Sequence, residues 1–247
     1  MKESVAEMHG WTRISSDTRS GDCYVPSGDP APHALLYLRD RHSDSPSDDA
    51  GLTRELQRHR LRVYSPAVDG CWWVDRPCEA FGGDVPSPLH WLQQVAAADI
   101  ALRWGVAPRQ IGLLGTGIGG HGVLQLAYRF PKQFPVVAAI APAVDFHTHY
   151  HHEPVLQEVF SSAEAARQET ATLRIHPLNW PPHQWIACDP RDPDWFDGCE
   201  RLASKLSSIG IPFESDLKSS IEGARRDYER AMLPRALEFL TQRLLLV

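Results

Sequence analysis

The stretch QIGLLGTGIGG, residues 110–120, decides the fold class of this chain. Its first half, residues 110–115, is a short and mostly apolar run, which is typical of a buried strand. The second half is a glycine-rich turn, and residues 123–130 continue as a predicted helix that Pro131 closes. A buried strand that enters a tight turn and then a helix is the repeating unit of proteins with a parallel sheet.

Strands and helices alternate along the rest of the chain in the same way. Strands are predicted at 34–38, 61–66, 136–141 and 184–188, and helices at 52–60, 89–104, 199–209 and 233–246. This alternation predicts parallel strands that are covered by helices on both faces. We therefore predict one α/β domain over residues 34–247. Residues 1–33 show neither helical nor strand periodicity, so we predict an N-terminal arm there.

Composition excludes several classes of protein. The chain has 247 residues, with 25 basic against 31 acidic side chains, a net charge of −6 and an apolar share of 43%. These values are typical of a globular domain with a full core, and the acidic balance argues against a nucleic-acid partner. No apolar run approaches the ~18 residues of a membrane span. We also expect no cofactor. Five cysteines without C-x-x-C spacing argue against a disulfide framework, so we expect a reduced, cytoplasmic protein.

The glycine turn, residues 115–120, fits two motifs. The first is G-x-G-x-x-G, which binds dinucleotides between a strand and a helix. That fingerprint normally follows the first strand of its sheet, whereas here about half of the chain precedes it. Asp145 lies near the expected distance for ribose binding, but Pro142 interrupts the run before it. A nucleotide site is therefore the weaker interpretation.

The second motif is the nucleophile elbow G-x-S-x-G, in which Gly117 stands where the serine belongs. The similarity extends to GGHGVLQLA (119–127), AAIAPAVD (138–145), CDPRDPDW (188–195), IGIPFE (209–214) and GARRDY (223–228). The whole pattern resembles the esterase D-like, or S-formylglutathione hydrolase-like, branch of the α/β-hydrolases. This resemblance implies an α/β-hydrolase fold, a mostly parallel twisted sheet with helices on both faces.

The same resemblance assigns roles to positions in this chain. It places the nucleophile at Gly117, the acid at Asp192 or Asp189, and the catalytic histidine at Ala224. The oxyanion loop, usually H-G, is Arg39-Asp40 here, and the Ile118 N–H is the expected oxyanion donor. Trp72 and Trp73 fall where related esterases carry an aromatic loop at the pocket mouth, and His121 could approach the pocket.

Acyl transfer on this scaffold needs a nucleophile, a base and oxyanion donors. A glycine cannot form an acyl-enzyme, and an alanine cannot move a proton. We therefore expect a catalytically inactive member of this branch that keeps a pocket for a small acyl or ester ligand. A second copy of the same chain is a possible further partner. The alternative is an active carboxylic-ester or thioester hydrolase with displaced catalytic residues, for which Thr116 and His121 are the nearest candidates.

A second alternative is a zinc-dependent hydrolase. The densest group of potential metal ligands is the His147–His152 cluster, and on a strand His147, His149 and His151 would share one face. Their spacing is similar to the H-x-H-x-D-H motif of the metallo-β-lactamase fold. A catalytic zinc needs three protein ligands and an open position. His176, His183 and Asp189 could contribute only if the fold brought them near.

Overall fold

Eight strands form one sheet in the part of the chain that the structure describes. The structure is a computed structural model, and it describes residues 10–15, 19–41, 43–67, 70–83 and 86–247. The strands are β1 (Gly10–Ser15), β2 (Ser20–Val25), β3 (Ala34–Leu38), β4 (Arg62–Pro66), β5 (Ile111–Thr116), β6 (Val136–Ile140), β7 (His183–Ala187) and β8 (Glu214–Asp216). Their order is β1-β2-β4-β3-β5-β6-β7-β8. The pairs β1–β2 and β2–β4 are antiparallel, and the other five are parallel.

Helices cover both faces of this sheet, as predicted. They are α1 (Ala50–Arg58), α2 (Pro88–Trp91), α3 (Ala97–Trp104), α4 (Gly117–Arg129), α5 (Pro154–Val159), α6 (Ala163–Arg167), α7 (Ala171–Arg174), α8 (Phe196–Ser208) and α9 (Arg225–Leu244). Successive residues of a strand point to opposite faces. Accordingly Leu113 of β5 belongs to a core cluster that includes residues of α3 and α4, whereas Leu114 belongs to a second cluster that includes residues of α9. No helix among the described residues is long and apolar enough to cross a membrane.

The connections around β3 create the crevice at which the candidate site lies. The chain runs from β3 to β4 on one side, then crosses back to place β5 on the other side of β3. In open α/β sheets, ligands bind where the strand order reverses in this way, at the carboxyl ends of the strands. Leu38 of β3 pairs with Gly115 of β5. The loops that follow these two strands therefore emerge side by side.

Two parts of the chain differ from the sequence-based predictions. Strands β1 and β2 form an antiparallel hairpin within the predicted arm, so the sheet extends into this segment. Residues 1–9 and 16–18 of that arm lie outside the described residues. Helix α9 begins at Arg225 rather than at 233, and Pro234 lies inside it. Proline usually marks a helix start, because it lacks the N–H that an interior position needs.

Candidate active site

The turn between β5 and α4 has the geometry of a nucleophile elbow. Strand β5 ends at Thr116 and α4 begins at Gly117, whose φ of +52° is left-handed and therefore suits glycine. A Cβ added at Gly119 would overlap the Leu38 carbonyl and lie 2.6 Å from the carbonyl oxygen of Arg39. The helix therefore packs directly on the loop after β3. This close approach is what the elbow's small flanking residues permit.

The Asp40 carboxylate fills the space beside Gly117. A Cβ added at residue 117 would overlap the Asp40 carboxyl carbon and lie 2.6 Å from its Oδ2. The Ile118 N–H donates to Asp40 Oδ1 at 2.9 Å, and the Asp40 N–H donates to Thr116 Oγ1 at 3.0 Å. Burial raises the pKa of Asp40, although the N–H groups of Ile118 and Arg41 and nearby guanidinium groups act in the opposite direction. The Ile118 N–H, which the resemblance names as the oxyanion donor, is therefore hydrogen-bonded to Asp40.

Asp192, one of the two acid candidates named from the resemblance, pairs with Arg225, the residue after Ala224. Arg225 Nε donates to Asp192 Oδ2 at 2.6 Å, and the Asp192 side chain is 5% exposed. Burial alone would lower the pKa of Arg225, but Asp192 and Asp194 raise it above its ordinary value. Asp192 Oδ1 also accepts the N–H of Trp195 at 3.0 Å. The buried acid therefore faces a permanent cation.

Ala224 borders a pocket of about 400 Å³ between the loop after β7 and the loop before α9. Its lining includes Asp192, Arg191 and Arg225. Asp189, the other candidate for the acid, joins the two loops, because it accepts hydrogen bonds from the Ser220 hydroxyl and the Ile221 N–H. Burial alone would raise the pKa of Asp189, but these and neighbouring donors hold it at about 2. Asp189 and Asp192 thus both border this pocket, but Asp189 is bound to the loop before α9 whereas Asp192 is paired with Arg225.

Two buried aromatic rings lie against guanidinium groups close to this ion pair. Trp72 and Trp195 are 1% and 4% exposed, with ring centroids 6.4 Å apart. The guanidinium of Arg41 lies 5.4 Å from the ring of Trp72, and that of Arg225 lies 5.0 Å from the ring of Trp195. Arg41 in turn binds Glu153 through two hydrogen bonds of 2.5 and 2.6 Å. Each of these two tryptophan rings therefore contacts an arginine side chain.

The side chains of the remaining residues named from the resemblance make other contacts. Trp73 is 3% exposed and packs against Phe81. Arg39 donates to the carbonyl oxygens of the loop that follows it, at residues 43 and 44, instead of reaching Ile118.

Thr116 and His121, the candidates for displaced catalysis, are both buried. The His121 ring packs against Phe146 in a tilted arrangement, with centroids 4.6 Å apart. Burial lowers the pKa of His121 to about 3, so its imidazole is neutral. A fully buried, neutral ring has no route for passing a proton to solvent. This geometry does not support catalysis by Thr116 and His121.

The histidine cluster does not have the predicted arrangement. Residues 146–149 form a turn of 3₁₀ helix, so the premise of a strand with His147, His149 and His151 on one face was wrong. His149 instead packs against Trp195, with ring centroids 4.6 Å apart. Among the residues that the structure describes, no three His, Cys, Asp or Glu side chains converge to hold a metal. Asp145, the candidate ribose ligand of the nucleotide interpretation, pairs with Arg201 of α8 at 2.7 Å.

No protein-family model and no curated protein sequence matches the chain. Solved structures do match it. An S-formylglutathione hydrolase from Agrobacterium tumefaciens is 17% identical, with a TM-score of 0.76 over 95% of this chain and 94% of that one. The fluorophosphonate-binding serine hydrolase F of Staphylococcus aureus is 14% identical, with a TM-score of 0.74 over 94% and 97%. The protein has an α/β-hydrolase fold.

A ferulic acid esterase with the same α/β-hydrolase fold is 12% identical, with a TM-score of 0.68 over 94% of this chain and 97% of that one. At such identities the likeness establishes the fold, and the side chains at the crevice must carry any argument about chemistry. Two of the groups that matter there were not predicted from the sequence: the inserted carboxylate of Asp40 and the guanidinium of Arg225. The sequence signal for Asp40 was its place in the loop that departs from H-G, and the signal for Arg225 was its place next to Ala224.

Proposed function

We propose that this protein is an esterase-type α/β-hydrolase that no longer performs serine-dependent acyl transfer and that binds a small acyl or ester ligand. The observation that carries the proposal is the ion pair between Asp192 and Arg225. In a catalytic triad the acid orients an imidazole that accepts and returns a proton. A guanidinium cannot be deprotonated in a protein, so it cannot perform that step.

The lack of a side chain at Gly117 supports the same proposal. Without a side-chain oxygen at the elbow there is no group to form an acyl intermediate. A serine protease stripped of its triad retains ~10³–10⁴-fold acceleration over water, which comes from its oxyanion hole and substrate binding. Here the Ile118 N–H is bonded to Asp40, so even this residual contribution should be reduced.

The pocket beside Ala224 supports a binding role. Its volume of about 400 Å³ is within the range of small-molecule sites. An imidazole at residue 224 would project from the wall of this pocket, so the alanine leaves room there. We propose a cytoplasmic location as well, which is supported by five cysteines that are all buried and are not paired with one another in disulfides.

Turnover and binding are tested separately. We expect the purified protein to hydrolyse p-nitrophenyl acetate no faster than a heat-denatured sample, and to remain unlabelled by a fluorophosphonate probe. Activity above that control would overturn the proposal.

Binding is tested with short-chain esters by NMR. Saturable amide shifts are expected at Ala224 and Arg225 and should be lost in Ala224→Phe. Ala107→Phe is the matched control, because Ala107 is also an exposed alanine that precedes a helical turn in an extended conformation.

A further inference from the structure

We propose that Asp40 is a built-in inhibitor of the crevice, whose carboxylate occupies the position that a serine side chain or an oxyanion would need. This inference rests on the proposed function and deepens it, because it adds a block that is independent of the two missing catalytic groups. It also implies that a ligand reaches the pocket beside Ala224 but not the Ile118 N–H.

The steric part of the block comes from the position of the carboxyl group. A Cβ at residue 117 would overlap the Asp40 carboxyl carbon, so no side chain fits there while Asp40 keeps its place. Serine at residue 117 would therefore have to displace Asp40 before its oxygen could reach a substrate.

The electrostatic part comes from the hydrogen bond to Asp40 Oδ1. The Ile118 N–H lies in the first turn of α4, a helix of 13 residues whose N-terminus favours a negative charge. Asp40 supplies that charge from within the chain at 2.9 Å. An incoming oxyanion would have to compete with a carboxylate that is already held beside this donor.

Three contacts hold the loop that carries Asp40. The Asp40 N–H binds Thr116, and both terminal nitrogens of Arg41 bind Glu153. The Arg39 guanidinium binds two carbonyl oxygens in the same loop. Because the Asp40 N–H is bound to β5 and Arg41 is bound to Glu153, the Asp40 side chain is directed into the crevice by the fold and not by its carboxylate hydrogen bond alone.

The decisive experiment restores the missing groups with and without Asp40. The double variant Gly117→Ser/Ala224→His is compared with the same variant carrying Asp40→Gly, both in an Arg225→Ala background that frees Asp192 to orient the new histidine, and the rate of labelling by a fluorophosphonate probe is measured. We expect the triple variant to label about 100-fold faster, which is the effect of one oxyanion donor. The control replaces Asp40→Gly by Asp44→Gly, since Asp44 lies in the same loop and pairs with Arg226 and Arg230. This control should label as slowly as the double variant.

A second measurement uses single variants and does not depend on creating activity. Hydrogen exchange of the Ile118 amide should accelerate at least tenfold in Asp40→Gly, because the amide loses its acceptor, and should not change in Asp44→Gly. Formate should then produce a saturable shift of the Ile118 amide in Asp40→Gly but not in the wild type. Equal labelling of double and triple variants, or unchanged exchange at Ile118, would overturn the inference. Ester turnover by the wild type would instead overturn the proposed function.

Discussion

Replacing Arg225 by alanine tests how strongly the Asp192–Arg225 pair holds the crevice together. The change leaves a carboxylate that is 5% exposed without its main cationic partner. Breaking a fully buried pair costs ~3–5 kcal/mol, whereas an exposed pair contributes only ~0–1 kcal/mol. The Arg225 side chain is 25% exposed, so we expect an intermediate loss of about 2 kcal/mol. For a domain of this length that corresponds to a Tm lower by about 4–8 °C.

Urea unfolding and calorimetry measure this loss, and the neighbouring residue supplies the control. Arg226 pairs with Asp44 at 2.8 Å, but both side chains of that pair are 52% exposed. Arg226→Ala should therefore change the free energy of unfolding by less than about 0.5 kcal/mol. A double-mutant cycle with Asp192→Asn isolates the coupling between Arg225 and Asp192. If Arg225→Ala were no more destabilising than Arg226→Ala, or if the cycle gave no coupling, the assigned role of the pair would be wrong.

Three other predictions concern stability. Gly117→Ala should cost about 2 kcal/mol more than Gly105→Ala in urea unfolding, because both glycines have positive φ but a Cβ at 105 would meet open space. Equal costs would show that Asp40 does not confine residue 117. Burial lowers the pKa of His121 from 6.5 to about 3. As the pH falls, this histidine is therefore protonated in the unfolded chain before it is protonated in the folded protein. Wild-type stability should therefore fall as the pH drops from 6.5 towards 3, and thermal unfolding should show a smaller fall for His121→Leu. Asp189→Asn should lose about 2 kcal/mol at pH 7 and almost nothing below pH 2, because hydrogen bonds depress the pKa of Asp189 from 3.8 to about 2. A loss that did not vanish in acid would contradict this account.

Local steric demands explain why the centre of the fold could be predicted. The strand at 34–38 has the predicted bounds, and β5 differs from its prediction by one residue at each end. Both strands are buried on two faces and therefore appear as continuous apolar runs. The elbow was recognisable for a similar reason, since a strand and a helix that approach closely require glycine at set positions.

Edge strands and helix ends were less predictable. In β1 the burial of side chains changes along the strand without clean alternation, so its sequence carries little strand signal. The start of α9 was hidden by Pro234, which tertiary packing tolerates inside the helix. The zinc alternative needed the histidines at 147–151 to lie on a strand, and their even spacing could not show that the backbone forms a helical turn there.

The amino-acid sequence by itself determined the α/β class, the glycine turn between a strand and a helix, and the absence of a hydroxyl at residue 117 and of an imidazole at residue 224. These features depend on local side-chain size and on apolar runs, which can be recognised one segment at a time. Only the tertiary structure decided that Asp40 enters the crevice and that Arg225 pairs with Asp192. Asp40 and Ile118 are 78 positions apart and meet because β3 and β5 pair in one register. Contacts of that kind depend on how distant segments pack, and no local pattern encodes them.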